Sequence, residues 1–163
     1  MDSYEEIKLV QKGMNWSYFY LKFRPRTKKE ILIYLQKKSE KYSFTPEIIQ
    51  KVLQELENQR LIDDKAFVEL YVYSKSINKP KGETAFRNEL QRLGVERDIL
   101  DEYFAQNPIN QEEQAHKALQ RRWLRYSPLD QKKRFEKSAM FLASRGFSFD
   151  VIKKTIAQME EKE

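Results

Sequence analysis

Apolar residues recur at three- and four-residue intervals along almost the whole chain. Tyr4, Ile7, Val10, Met14, Tyr18 and Leu21 make the first such stripe, which predicts a helix interrupted at Gly13. It should stop at Arg24, because a residue before proline is pushed out of the α region. Thr27 and Glu30 then have capping-box spacing ahead of Ile31, Leu32 and Leu35, so a second helix starts there. Thr45 and Pro46 suit the N-cap and first position of a third helix, with Ile48, Ile49, Val52, Leu53 and Leu56 inward. Asp63 or Asp64 caps a fourth helix that buries Phe67, Leu70 and Tyr71.

The pattern continues past "KPKGETAF". A fifth helix carries Phe86, Leu90 and Leu93 and ends at Gly94, where a left-handed residue fits. Ile99, Leu100, Tyr103 and Phe104 mark a sixth. Asn110 and Glu113 form a capping box for a seventh with Ala115, Ala118, Leu119 and Trp123 inward. Ser127 and Pro128 open an eighth, closed by Gly146, and Ser148 caps a ninth with Val151, Ile152 and Ile156 inward. No sustained period-two alternation and no Asn-Gly or Asp-Gly hairpin occurs, so the expected fold class is all-α.

The pattern also repeats itself. Shifted by 55 positions, Arg24-Pro25-Arg26 falls on Lys79-Pro80-Lys81, Ile31 on Phe86 and Leu35 on Leu90. After a four-residue loop difference the shift is 51, and Phe44 meets Val95, Ile48 meets Ile99 and Leu53 meets Phe104. A further shift of 52 sets Leu90 on Leu142, Gly94 on Gly146, Ile99 on Val151 and Phe104 on Ile156. The third copy replaces the basic turn with "RYSPLDQKKR". The unit is helix, basic turn, helix, Gly turn, helix. The expected organisation is three three-helix repeats, residues 1–60, 61–107 and 108–163, stacked into an elongated, curved array.

Charge changes this picture from architecture to interaction. The net charge is +6, and basic and acidic segments alternate. Residues 22–41 carry eight Lys/Arg against two Glu, residues 47–70 three against six Asp/Glu, and residues 111–137 eight against four. One basic cluster reads as a solvated helix face. Basic clusters at equivalent points of a repeat read as a binding stripe for an anionic partner. Composition adds exclusions: with 40% apolar residues the chain can bury a core, zero Cys leaves no disulfide or thiolate chemistry, and no apolar run suggests a membrane span. The opening "MDSYEEIKLV" lacks the apolar stretch of a secretory signal, so the expected location is cytoplasmic.

Catalytic chemistry has little to stand on. Asp63 and Asp64 lack a third ligand nearby and read as helix caps, not as a metal site. His116 is the single histidine, with no nucleophile or acid beside it in the pattern. No Gly-x-x-x-x-Gly-Lys phosphate loop occurs. Tyr and Trp residues fall mostly at core spacing, with Trp16, Tyr20 and Trp123 as the ones most open to stacking on bases. The expectation is a protein without enzymatic activity, cofactor or metal.

Four stretches in order, "FRPRTKKEILIYL", "LIDDKAFVELYV", "KGETAFRNELQRLGV" and "FLASRGFSFDVI", resemble the RecX family of RecA regulators over residues 14–157. The resemblance implies a non-enzymatic, all-α protein of three-helix repeats that binds the RecA filament on single-stranded DNA. It implies that filament growth, ATP hydrolysis and strand exchange are suppressed. The expected partners are the RecA filament and single-stranded DNA, met directly or through RecA, with no membrane involved and the chain a monomer. By position, the family's basic turns fall on Arg24, Arg26, Lys79, Lys81 and Gly82, its second-repeat Arg and Glu on Arg87 and Glu89, and its Leu-x-Asp-Asp motif on Leu61, Asp63 and Asp64. The chain departs from the family's frequent Gly at Arg60 and frequent Pro at Glu83. With the third basic segment, the expected filament- or DNA-binding set is Arg24, Arg26, Lys79, Lys81, Gly82, Arg87, Arg121, Arg122 and Arg125. The alternative is a stand-alone DNA-binding module of helix-turn-helix type.

Overall fold

A computed structural model describes residues 1–162. Among them the secondary structure is nine α-helices: α1 (Ser3–Leu21), α2 (Lys28–Tyr42), α3 (Pro46–Asn58), α4 (Asp64–Asn78), α5 (Glu83–Arg92), α6 (Arg97–Gln106), α7 (Gln111–Tyr126), α8 (Gln131–Ser144) and α9 (Phe149–Glu161). The chain divides into two compact units. One is Met1–Val68 with Arg92–Ile99; the other is Glu69–Gln91 with the described residues from Leu100 on.

Local chemistry explains most helix ends. Thr27 accepts a hydrogen bond from the Glu30 N–H while the Glu30 carboxylate accepts from the Thr27 N–H, which completes the capping box of α2. Thr45 caps α3, with Pro46 at its start, and Ser148 caps α9. Asp63 accepts from the Ala66 N–H at 3.1 Å and so caps α4. Asp64 does something else: its carboxylate accepts from the Lys28 N–H at 3.0 Å, satisfying an orphan donor of α2. Gly94 and Gly146 take φ of +93° and +81°. Arg60, at the position where the family often carries Gly, also has a positive φ, +56°.

In the first unit α1, α2 and α3 pack on one another around Met14, Ile31, Leu35, Ile48, Val52 and Leu56. In the second, α7, α8 and α9 enclose Ala115, Leu119, Trp123, Leu142, Ile152 and Ile156. One set of positions matched by the repeat is buried alike: Leu35, Leu90 and Leu142 are each 0% exposed, whereas Ile48 is buried and its matches Ile99 and Val151 only partly so.

Four expectations need correction. Gly13 does not interrupt α1. It lies buried inside it, where a Cβ would come within 2.7 Å of Val52, so the glycine lets α1 and α3 approach closely. The stripe of α1 is also narrower than its spacing implies, since Tyr4, Ile7 and Tyr18 are exposed. In α4 the inward residues are Phe67, Val68 and Val72, and Leu70 faces solvent. That helix carries apolar residues on more than one face, so periodicity alone could not choose between them. Finally, α8 starts at Gln131 with Asp130 as its cap, because Ser127 ends α7 and residues 127–130 make the turn.

Candidate functional site

The second basic turn shows why Lys-Pro-Lys-Gly stands where it does. Lys79 precedes Pro80, which ends α4. The chain then runs into α5 through Lys81 and Gly82, both buried. The Gly82 N–H donates to the Arg145 carbonyl at 2.8 Å. A Cβ on Gly82 would overlap the Gly146 carbonyl, and one on Gly146 would lie 2.5 Å from the Ala85 nitrogen. Two glycines therefore let the basic turn and the last Gly turn touch backbone to backbone.

That contact gathers charge. Lys79, Lys81, Arg122 and Arg145, with Ala85, Glu89, Phe141 and Ser144, line an open cleft of about 350 Å³. Four cations face one carboxylate. Lys81 is 4% exposed and ion-pairs with Glu89, which also accepts from the Tyr71 hydroxyl at 2.6 Å. Burial alone would push the Glu89 carboxyl up, but the bonds from Lys81 and Tyr71 outweigh it and hold Glu89 below the usual carboxylate range. Burial lowers the Lys81 ammonium from its ordinary value, partly offset by Glu89. Arg145 is likewise lowered, first by burial and then by the nearby Arg122 guanidinium. The guanidinium carbons of Arg122 and Arg145 lie 4.9 Å and 5.2 Å from the centre of the same Phe141 ring. Like charges held this close favour an anion between them.

The first unit repeats the contact with different chemistry. Thr27 occupies the place of Gly82, Leu93 that of Arg145 and Gly94 that of Gly146. The Thr27 hydroxyl donates to the Leu93 carbonyl at 2.5 Å. Here the arginines are occupied. Arg24 forks onto Glu30 at 2.5 Å and 3.2 Å. Arg26 lies over the Tyr20 ring at 3.8 Å, with Glu30 3.9 Å away.

The other expected site residues divide clearly. Arg87 pairs with Glu83 at 2.8 Å and Asp101 at 2.6 Å, and the Glu83 hydrogen bond is the main cause raising its guanidinium above the ordinary value. Arg121 donates to the Asn78 and Ile77 carbonyls at 2.7 Å and 2.6 Å, closing the C-terminal end of α4. Arg125 is exposed on α7. Lys79, Lys81, Gly82 and Arg122 thus come together, whereas Arg24, Arg26 and Arg87 each hold an internal carboxylate. Arg145 and Phe141 were missed by sequence reasoning. The signal for Arg145 was present in the repeat, which sets Arg145-Gly146 on Leu93-Gly94. Among the described residues no group of three His, Cys, Asp or Glu side chains could hold a metal, and no helix is long and apolar enough to cross a membrane.

Family models for the second and third three-helix domains of RecX match residues 63–103 and 110–156, together more than half of the chain. The chain is 32% identical over 157 residues to the regulatory protein RecX of Bacillus cytotoxicus, covering 94% of this chain and 56% of that one. It is 31% identical to that of Bacillus pumilus, covering 94% and 59%. The chain therefore spans somewhat over half the length of these relatives. The crystal structure of RecX from Lactobacillus salivarius superposes with a TM-score of 0.77 at 24% identity, over 94% of this chain and 98% of that one. A second crystal structure of regulatory protein RecX gives 0.74 at 26% identity, over 93% and 73%. Two domain models that together match more than half of the residues, and relatives more than 30% identical, settle membership: the chain belongs to the RecX family.

Proposed function

We propose that this protein regulates a RecA recombinase. It binds the filament that RecA forms on single-stranded DNA and suppresses filament growth, ATP hydrolysis and strand exchange, acting as a monomer and catalysing no reaction itself. The three-helix repeats, residues 1–60, 61–107 and 108–163, serve as the frame that carries the basic turns. The observation that supports this reading is the cleft of Lys79, Lys81, Arg122 and Arg145, four cations around one carboxylate. Such a surface fits a carboxylate of an acidic protein face or a DNA phosphate.

The roles divide by burial. Lys81 is fixed by Glu89 and sets the field of the cleft, while Lys79, exposed at its rim, meets the partner first. Arg122 and Arg145, flanking Phe141, offer planar donors suited to a carboxylate or phosphate fork. Occupancy of the filament in this way opposes the movements that ATP turnover and strand pairing require.

The test is co-sedimentation with RecA filaments. A Lys79→Glu/Arg122→Glu chain should bind about tenfold or more weakly, with unchanged circular dichroism and a shallower salt dependence. Binding equal to that of the parent would remove the cleft from the interface. Tight, recombinase-independent binding to duplex DNA would instead support the helix-turn-helix reading.

A further inference from the structure

The cleft of the second unit holds more positive charge than the chain neutralises. Its one carboxylate, Glu89, is taken by Lys81 and the Tyr71 hydroxyl. Among the described residues no carboxylate lies within ion-pair distance of Lys79, Arg122 or Arg145. The charge of Lys75, on α4, also acts on Lys81 and Glu89. Arg87 and Arg134 of the same unit are treated differently. Arg87 pairs with Glu83 and Asp101, and Arg134 forks onto both oxygens of Glu160 at 2.6 Å.

The unpaired cations are gathered before any ligand arrives. Arg145 caps the C-terminal end of α8, and its carbonyl accepts from the Gly82 N–H, which pins the last Gly turn to the basic turn. Arg122 comes from α7. Both guanidinium groups lie over Phe141, which itself leans on the core of α7, α8 and α9. The ring is thereby covered, so the cleft is built to hold an anion and not to stack on a base.

We propose that this cleft binds a free polyphosphate anion, inorganic pyrophosphate or the phosphate tail of a nucleoside triphosphate, and that the bound anion releases the protein from its partner. Arg122 and Arg145 fork onto adjacent phosphate groups, and Lys79 meets them from the rim. Charge and size select this class. A lone carboxylate, or one linkage of a nucleic-acid strand, brings a single charge and leaves two of the three cations unpaired. A polyphosphate brings several charges on adjacent groups, compact enough for a cleft of about 350 Å³. The release rests on the reading that this cleft meets the filament; the binding stands without it.

The test is titration calorimetry of the full chain at about 0.15 M salt, with pyrophosphate, orthophosphate, ATP and GTP. Pyrophosphate should bind about tenfold or more tighter than orthophosphate. Arg122→Gln and Arg145→Gln should each weaken it about tenfold or more, with unchanged circular dichroism. Arg145→Lys keeps the charge without the fork and should fall between. Lys132→Gln, exposed at the start of α8, should bind as the parent does. ATP and GTP should bind alike; affinity above that of pyrophosphate assigns the ligand to a nucleotide tail, and affinity below it to free pyrophosphate. Equal binding of pyrophosphate and orthophosphate, parental affinity in both glutamine chains, or a preference for one base would overturn the site. Co-sedimentation with RecA filaments, with magnesium in excess of pyrophosphate, then reads release. The protein should leave the pellet while RecA stays in it. Pyrophosphate bound by the chain alone but without release would overturn the release and take the cleft out of the filament interface, with the anion site kept.

Discussion

Arg60 holds a backbone conformation, φ +56°, that side chains other than glycine adopt at a cost. Arg60→Gly should therefore raise stability by about 1 kcal/mol, seen as a melting temperature higher by about 2–4 °C. An unchanged or lower value would mean that the arginine compensates locally. The departure at Arg60 was visible in the sequence only through the family resemblance; the strain itself was not. Glu89 is legible in the same partial way. Its place in the motif was clear, yet its clamp on Lys81 depends on a tertiary contact that spacing cannot show. Because the Glu89 carboxyl is held below its ordinary range in the fold, its pairing stabilises the protein above the unfolded pKa, about 4.3. That stability is lost as pH falls through the lower folded value. Glu89→Gln should flatten the acid side of the stability–pH curve, measured by urea denaturation between about pH 6 and pH 3.

At the scale of elements, caps were the most readable feature, since they depend on side chains within one turn of the chain. Thr27, Thr45, Asp63 and Ser148 all cap where their spacing implies. What spacing could not supply was the neighbour across the contact. Gly13 looks like a breaker until Val52 is placed against it, and the inward face of α4 depends on what covers it. The two touching glycines, Gly82 and Gly146, give the sharpest element-scale prediction. Gly82→Ala would drive a methyl into backbone and not into a movable side chain, and should destabilise by about 1–3 kcal/mol. Leu90→Ala, at a fully buried repeat position, should cost about 2–5 kcal/mol. Thermal or chemical unfolding checks both, and a neutral Leu90→Ala would break the repeat register.

On the scale of the whole molecule, a repeat of helix, basic turn, helix, Gly turn and helix makes one contact twice. Thr27 reaches the Leu93 carbonyl, and Gly82 reaches the Arg145 carbonyl. The two copies differ in what they do with charge. The first spends its arginines on Glu30, and the second leaves Lys79, Arg122 and Arg145 around a cleft. The most direct test of regulation is RecA's ATP hydrolysis on single-stranded DNA with this protein titrated in, beside direct binding to the same DNA without RecA. The account predicts inhibition at concentrations well below those that coat bare DNA. Inhibition only once the DNA is saturated, or none at any concentration, would contradict it.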